Sequence, residues 1–184
     1  MVPARGCMTT AIRVAGNKIP DNPDLIMATI EEYTEGTIQK GIRKTLIHFD
    51  TISTPVPEDE KSRHIRQKID TFEPLLLTPD QAAISIRQAE AIALGERVCR
   101  ALHPGSVYSE SVFLDGLAVA MVRAGKARNA GVDEACKSLE GCSGRPLIIS
   151  KVSGKYQEIC PSVPSECVYW RAVKKGIHCL KHKA

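Results

Sequence analysis

Pro146-Leu147-Ile148-Ile149-Ser150-Lys151-Val152, then Ser153-Gly154, then Tyr156-Gln157-Glu158-Ile159-Cys160, is the stretch that decides the fold class. Both flanking runs are rich in β-branched and other apolar residues, and Ser-Gly between them is a two-residue turn. The pattern predicts a β-hairpin. Past it, Ser165 is a candidate cap for a helix over 166–175, with Gly176 just beyond its end.

Working back from the hairpin, the chain reads mostly as helix. Thr78-Pro79-Asp80-Gln81 is a capping box with proline at the first helical position. Ile84, Ala91, Gly95, Val98 and Leu102 then make one face of a helix ending before His103-Pro104-Gly105. A second helix is predicted from Glu110 to Ala124, with Phe113, Leu117, Ala120 and Ala124 on one stripe and Gly125 ending it. These two are expected to pack as an antiparallel pair. A third helix runs from Val132 to Leu139 and ends at Gly141.

Nearer the start, Thr9 to Ala15 is a candidate strand, and Asn22-Pro23 a helix start leading to Ile26, Ile30 and Tyr33 on one face. Gly36 and Gly41 weaken a helix there, and Thr45 to Ile52 reads equally as helix end or strand. After the break at Ser53-Thr54-Pro55-Val56-Pro57, the charged run Glu58 to Phe72 predicts a short exposed helix with a solvated face. The expected fold is α+β: a mainly helical body followed by a C-terminal β-hairpin and terminal helix. One domain is expected over 1–184, with a cysteine-rich portion at 136–184.

The chain has 184 residues, enough for a core without disulfides. With one Trp, three Phe and four Tyr, that core must rest on Ile, Leu, Val and Ala. No segment approaches the roughly 20 apolar residues of a membrane span. The longest mainly apolar run, Val112 to Val122, is interrupted by Asp115 and Gly116. Met1 to Cys7 is not followed by an apolar signal-peptide core, so a soluble, cytoplasmic protein is expected. Net charge is +4, but residues 141–184 hold eight basic against two acidic side chains, and the rest 17 basic against 19 acidic. The basic end, Lys174 to Lys183, is a candidate contact for an acidic protein or nucleic acid, against the alternative of a frayed, solvated terminus.

Seven cysteines are the compositional anomaly. In a cytosolic chain they are thiols, metal ligands or redox groups rather than structural disulfides. Cys136, Cys142, Cys160, Cys167 and Cys179 follow the spacing C-x5-C-x17-C-x6-C-x11-C, with His178 and His182 close to the last. Four convergent thiolates are what structural zinc or an iron–sulfur cluster requires. Cys160-Pro161 resembles the Cys-Pro beside some clusters, but no C-x2-C knuckle occurs. Set against the metal reading are thiol redox chemistry and inert buried thiols. Cys167, expected in the first turn of the last helix, is the candidate reactive thiol, because a helix N-terminus lowers thiol pKa. Adjacent Glu166 opposes that. Cys99, beside Val98, reads as core, and Cys7 as incidental.

Glu158-x-Cys160-x6-Cys167-x-Tyr169 resembles the cysteine-bearing end of the 4-vinyl reductase domain family, whose members include small-molecule-sensing and metal-sensing modules. The resemblance covers about 12 of 184 residues. The Gly-Asp expected between the two cysteines is absent and the spacing is one residue shorter. No function is carried over from it.

Among other candidates, His48 reads as a core or edge histidine, His64 as solvated, His103 as a turn residue. Asp115, inside an apolar run, must face outward or find a buried partner. No P-loop, dinucleotide fingerprint or metalloprotease motif is present. Three functional expectations follow: a thiolate-based protein holding zinc or an iron–sulfur cluster as accessory, sensor or electron carrier; an enzyme using Cys167 as nucleophile or redox centre; and a non-catalytic binding module using its basic end.

Overall fold

The computed structural model describes residues 27–103, 105–106 and 110–184. The strand expected at Thr9–Ala15, the Asn22-Pro23 helix start and Cys7 lie outside the described residues. Along the chain run α1 (Ile30–Glu35), α2 (Thr37–Thr51), α3 (Glu60–Phe72), β1 (Leu75–Leu77), α4 (Pro79–Gln88), β2 (Ile92–Glu96) and α5 (Val98–Leu102). They are followed by β3 (Glu110–Leu114), α6 (Asp115–Arg123), β4 (Ala127–Asn129), α7 (Val132–Glu140), β5 (Leu147–Val152), β6 (Lys155–Pro161), α8 (Val168–Lys174) and β7 (Lys181–His182).

The α+β class is what the chain adopts. Ser153 and Gly154 take φ of 49° and 76°, the two left-handed positions of a type I′ turn, and β5 pairs antiparallel with β6. Thr78 caps α4 as its capping box predicts, accepting from Gln81 N–H at 3.2 Å while Gln81 Oε1 accepts from Thr78 N–H at 3.0 Å. The strands form one seven-stranded sheet in the order β4-β2-β3-β6-β5-β1-β7, antiparallel throughout except for β1 with β7.

The body contains more strand than its sequence suggests. The helix expected from Thr78 to Leu102 stops at Gln88, and Ile92–Glu96 is a strand; the helix expected from Glu110 begins only at Asp115, after β3. The expected antiparallel helix pair is therefore an antiparallel strand pair, β2 with β3. Ala93, Leu94 and Gly95, like Ser111 to Leu114, are buried on both faces of a central sheet, which erases the alternation that marks a half-exposed strand. Gly95 is required there, since a Cβ would lie 2.6 Å from Lys126 O and 2.8 Å from the Phe113 ring. Asp115 opens α6 rather than sitting inside it, and its carboxylate accepts the Glu90 N–H at 2.8 Å.

Two side-chain rows show how the sheet divides. Ile149, Ile159, Val112 and Leu94 are register partners across four strands and belong to one apolar core with α4 and α7. The neighbouring row is Ser150, Glu158, Phe113 and Ala93, on the opposite face. Over that face lie α1, α2, α3, α6 and α8, joined by two further apolar clusters. The run Glu58 to Phe72, expected to be an exposed helix, buries Ile65, Ile69 and Phe72 toward this layer. The basic tail is not frayed: β7 pairs with β1, and Lys183 N–H donates to Leu76 O at 3.0 Å.

Candidate functional site

Between the sheet and the helices over Glu158 lies a cavity of about 670 Å³. Ile38, Ile42, Ile65 and Ile69 of α2 and α3 line it from above, and Ile148, Ser150, Glu158 and Cys160 from the sheet. Gly41 of α2 also borders it, and a Cβ there would meet nothing within 4 Å, so this helical glycine leaves space where other residues would fill it. A volume of this size, apolar walls and a few convergent polar groups define small-molecule sites.

The polar groups centre on Glu158. Strand alternation turns it away from the Ile159 core and into the cavity face, where it is 8% exposed. Tyr33 Oη donates to Glu158 Oε2 at 2.7 Å, and Ser111 Oγ donates to Oε1 at 3.1 Å. Ser150, its register partner, lies on the same face and helps to lower the pKa values of Glu158, Tyr33 and Tyr169. Burial raises the Glu158 pKa above the usual carboxylate range, against the lowering by these hydroxyls and by Arg97. Burial, and then the Glu158 charge, push the phenols of Tyr33 and Tyr169 well above theirs.

Arg97, immediately after β2, is 1% exposed. Its guanidinium donates to Pro161 O at 3.3 Å, to Ser106 Oγ, and to Glu166 Oε2 at 3.0 Å. Among the described residues, Arg97 and Glu158 are the two buried side chains of the Asp, Glu, Lys and Arg types. The arginine is matched by a carboxylate; the hydrogen bonds of Glu158 come from neutral hydroxyls.

Three thiols stand beside this network. Cys99 is the second residue of α5, Cys160 is on β6, and Cys167 is the N-cap residue of α8; all three line the cavity. The Cys167 hydrogen bond lowers the Cys99 pKa, with further help from Arg97, while the same contact and then burial push Cys167 well up. Burial and then the nearby Glu158 charge raise Cys160. Cys99, which reads as core in the sequence, is thus the thiol that faces Cys167. The expected dipole effect on Cys167 is outweighed because its sulfur is buried against another thiol.

The five cysteines proposed as metal ligands are not brought to one point. Cys136 packs against the Ile159 core on the other side of the sheet. Cys142, just beyond α7, places its sulfur 3.5 Å from Ser138 O, and burial raises its pKa. Cys179 belongs to the apolar cluster under α8, and burial pushes its thiol up to about 11. All six described cysteines are free thiols. Among the described residues, no three His, Cys, Asp or Glu side chains are grouped so as to hold a metal ion. Cys160 and Cys167 do come together, with Cys99 as the third thiol.

Comparison with protein-family models, curated proteins and solved structures finds no match to the chain. Glu158, Cys160, Cys167 and Tyr169, the residues of the short resemblance, all line the cavity. Among the described residues, no helix is long and apolar enough to cross a membrane. Sequence reasoning missed Tyr33, Arg97 and Ser111 as site residues. One signal was available: a glutamate inside a strand flanked by Ile148, Ile149 and Ile159 needs an explanation if that strand is central.

Proposed function

We propose that the chain is a small-molecule-binding module whose site is the cavity over Glu158. One observation supports this most: about 670 Å³ of space between the sheet and α2 and α3, apolar along its walls and polar at Glu158. An unfilled core of that size costs stability, since each lost contact in a close-packed interior weakens it. A ligand that fills it contributes apolar burial and raises the melting temperature by mass action. The test uses a neutral probe, naphthylethanol, followed by fluorescence titration and thermal melting. Saturable binding and a rising Tm are expected, and both are expected to fall in Val98→Trp, which places an indole in the cavity wall. Absence of saturable binding at millimolar probe would refute the reading.

A second reading is favoured by the three adjacent thiols. It keeps the thiolate-metal expectation, zinc or an iron–sulfur cluster, and revises the ligand set to Cys99, Cys160 and Cys167, soft donors suited to those metals. Side-chain rotation is needed to bring them to ligating distance. Elemental analysis of anaerobically purified protein decides: stoichiometric metal that is lost in Cys99→Ser supports it, and metal-free wild type removes it.

A further inference from the structure

The cavity combines two features that together select a ligand class. The first is a buried carboxylate that makes no ion pair, with the Arg97 charge near enough to lower its pKa but directed to Glu166. Arg97 pairs with Glu166 at 3.0 Å, whereas Glu158 is held by the hydroxyls of Tyr33 and Ser111. A buried carboxylate is costly until a cation or strong donor joins it. The second is the placing of the aromatic rings. The whole chain has one Trp, four Tyr and three Phe, yet Tyr33, Phe72 and Tyr169 all line this cavity. Phe72 and Tyr169 meet edge to face, with centroids 6.2 Å apart. Ring faces attract ammonium groups, most strongly where water is excluded. The rim mixes Glu32 and Glu60 with Lys44, Lys61 and Lys68, so it imposes no single sign on what enters.

We propose that the ligand is an apolar amine, its ammonium group seated against Glu158 among the rings of Tyr33, Phe72 and Tyr169, and its hydrocarbon body along the isoleucines of α2 and α3. This rests on the binding-module reading above. An acid of the same shape would set carboxylate against carboxylate, and an alcohol would gain a hydrogen bond without charge pairing. The specificity thus lies in the head group, while the apolar walls accept many bodies of suitable size.

The test compares three matched probes on wild-type protein by titration calorimetry at neutral pH: naphthylethylamine, naphthylethanol and naphthylacetic acid. The amine is expected to bind about tenfold or more tighter than the alcohol, with the acid weakest. In Glu158→Gln the amine advantage is expected to vanish while alcohol binding persists. An amine that binds no better than the alcohol to wild type overturns the proposal and leaves the cavity as a binding site. Failure of all three probes overturns both. An amine advantage that survives Glu158→Gln overturns the role of Glu158. If that variant does not fold, Phe72→Leu reads the same question, with a several-fold selective loss for the amine expected and an unchanged amine-to-alcohol ratio counting against the proposal.

Discussion

The two faces of the sheet are built from the same strands and differ by one residue in register. On one, Ile149, Ile159, Val112 and Leu94 meet α4 and α7 and form a closed apolar core. On the other, Ser150 and Glu158 look toward a cavity, while Phe113 beside them packs into an apolar cluster. Strand periodicity of two assigns each residue to one face: one face is closed apolar core, and the other combines apolar clusters with open space and polar groups. A substitution one position along a strand should therefore move from one kind of consequence to the other.

The largest effect should come from the closed face. Ile159→Ala removes a fully buried side chain where neighbours are packed on all sides, and is expected to cost about 2–5 kcal/mol in urea unfolding. A cost under about 1 kcal/mol would show that the closed face is looser than described. Next is Gly95→Ala, where the new Cβ meets backbone at 2.6 Å; about 1–3 kcal/mol of overpacking strain is expected from the same measurement. On the cavity face, Tyr33→Phe removes one hydrogen bond to Glu158 while keeping the ring, for about 1 kcal/mol. If it costs as much as Ile159→Ala, the division between faces fails.

Thiol labelling sharpens the contrast without mutation. Naphthylethanol should slow alkylation of Cys160, which is half-buried and borders the cavity, by several-fold, and leave Cys136 on the opposite side unchanged. Mass-mapped alkylation with and without probe reads this directly. The smallest effect lies outside both faces. The Ser62 N–H, donating to Asp59 at 2.7 Å, holds that exposed carboxyl below the usual carboxylate range. Its contribution to α3 is present above the ordinary carboxylate pKa and is lost as pH falls through the lowered value. Asp59→Ala should therefore flatten the acid side of a stability-versus-pH curve slightly and leave its slope above neutrality unchanged.

Local signals in the sequence were read well where chemistry is local. The Ser153-Gly154 turn, the Thr78–Gln81 box and the stop at Gly141 need only neighbouring residues, and each lies where expected. Strands β2 and β3 look helical in the sequence because residues buried on both faces carry no alternation, and Ala91, Gly95 and Val98 fall at helical spacing. The last helix begins at Val168 with Cys167 at its cap, so Ser165 does not serve that role. The site was legible only in part. Cys160 and Cys167 are seven residues apart and their approach is short-range, but Cys99 joins them only because β2 ends beside the start of α8. Tyr33 and Glu158 are separated by 125 positions, and nothing in either neighbourhood announces the other.

The strand order has a consequence for the chain as it leaves the ribosome. β2, β3 and β4 can pair as soon as they are made, but β3 gains its second neighbour from β6, and β1 pairs only with β5 and β7. The strands that join the two halves of the sheet are thus synthesised after α1, α2, α3 and α6, which help to cover them, and before α8. Until then α2 and α3 have no floor, and their isoleucines face water or a chaperone. Pairings of such long sequence separation form slowly. The nascent chain therefore passes through a period in which the cavity over Glu158 does not exist and its apolar surface is exposed.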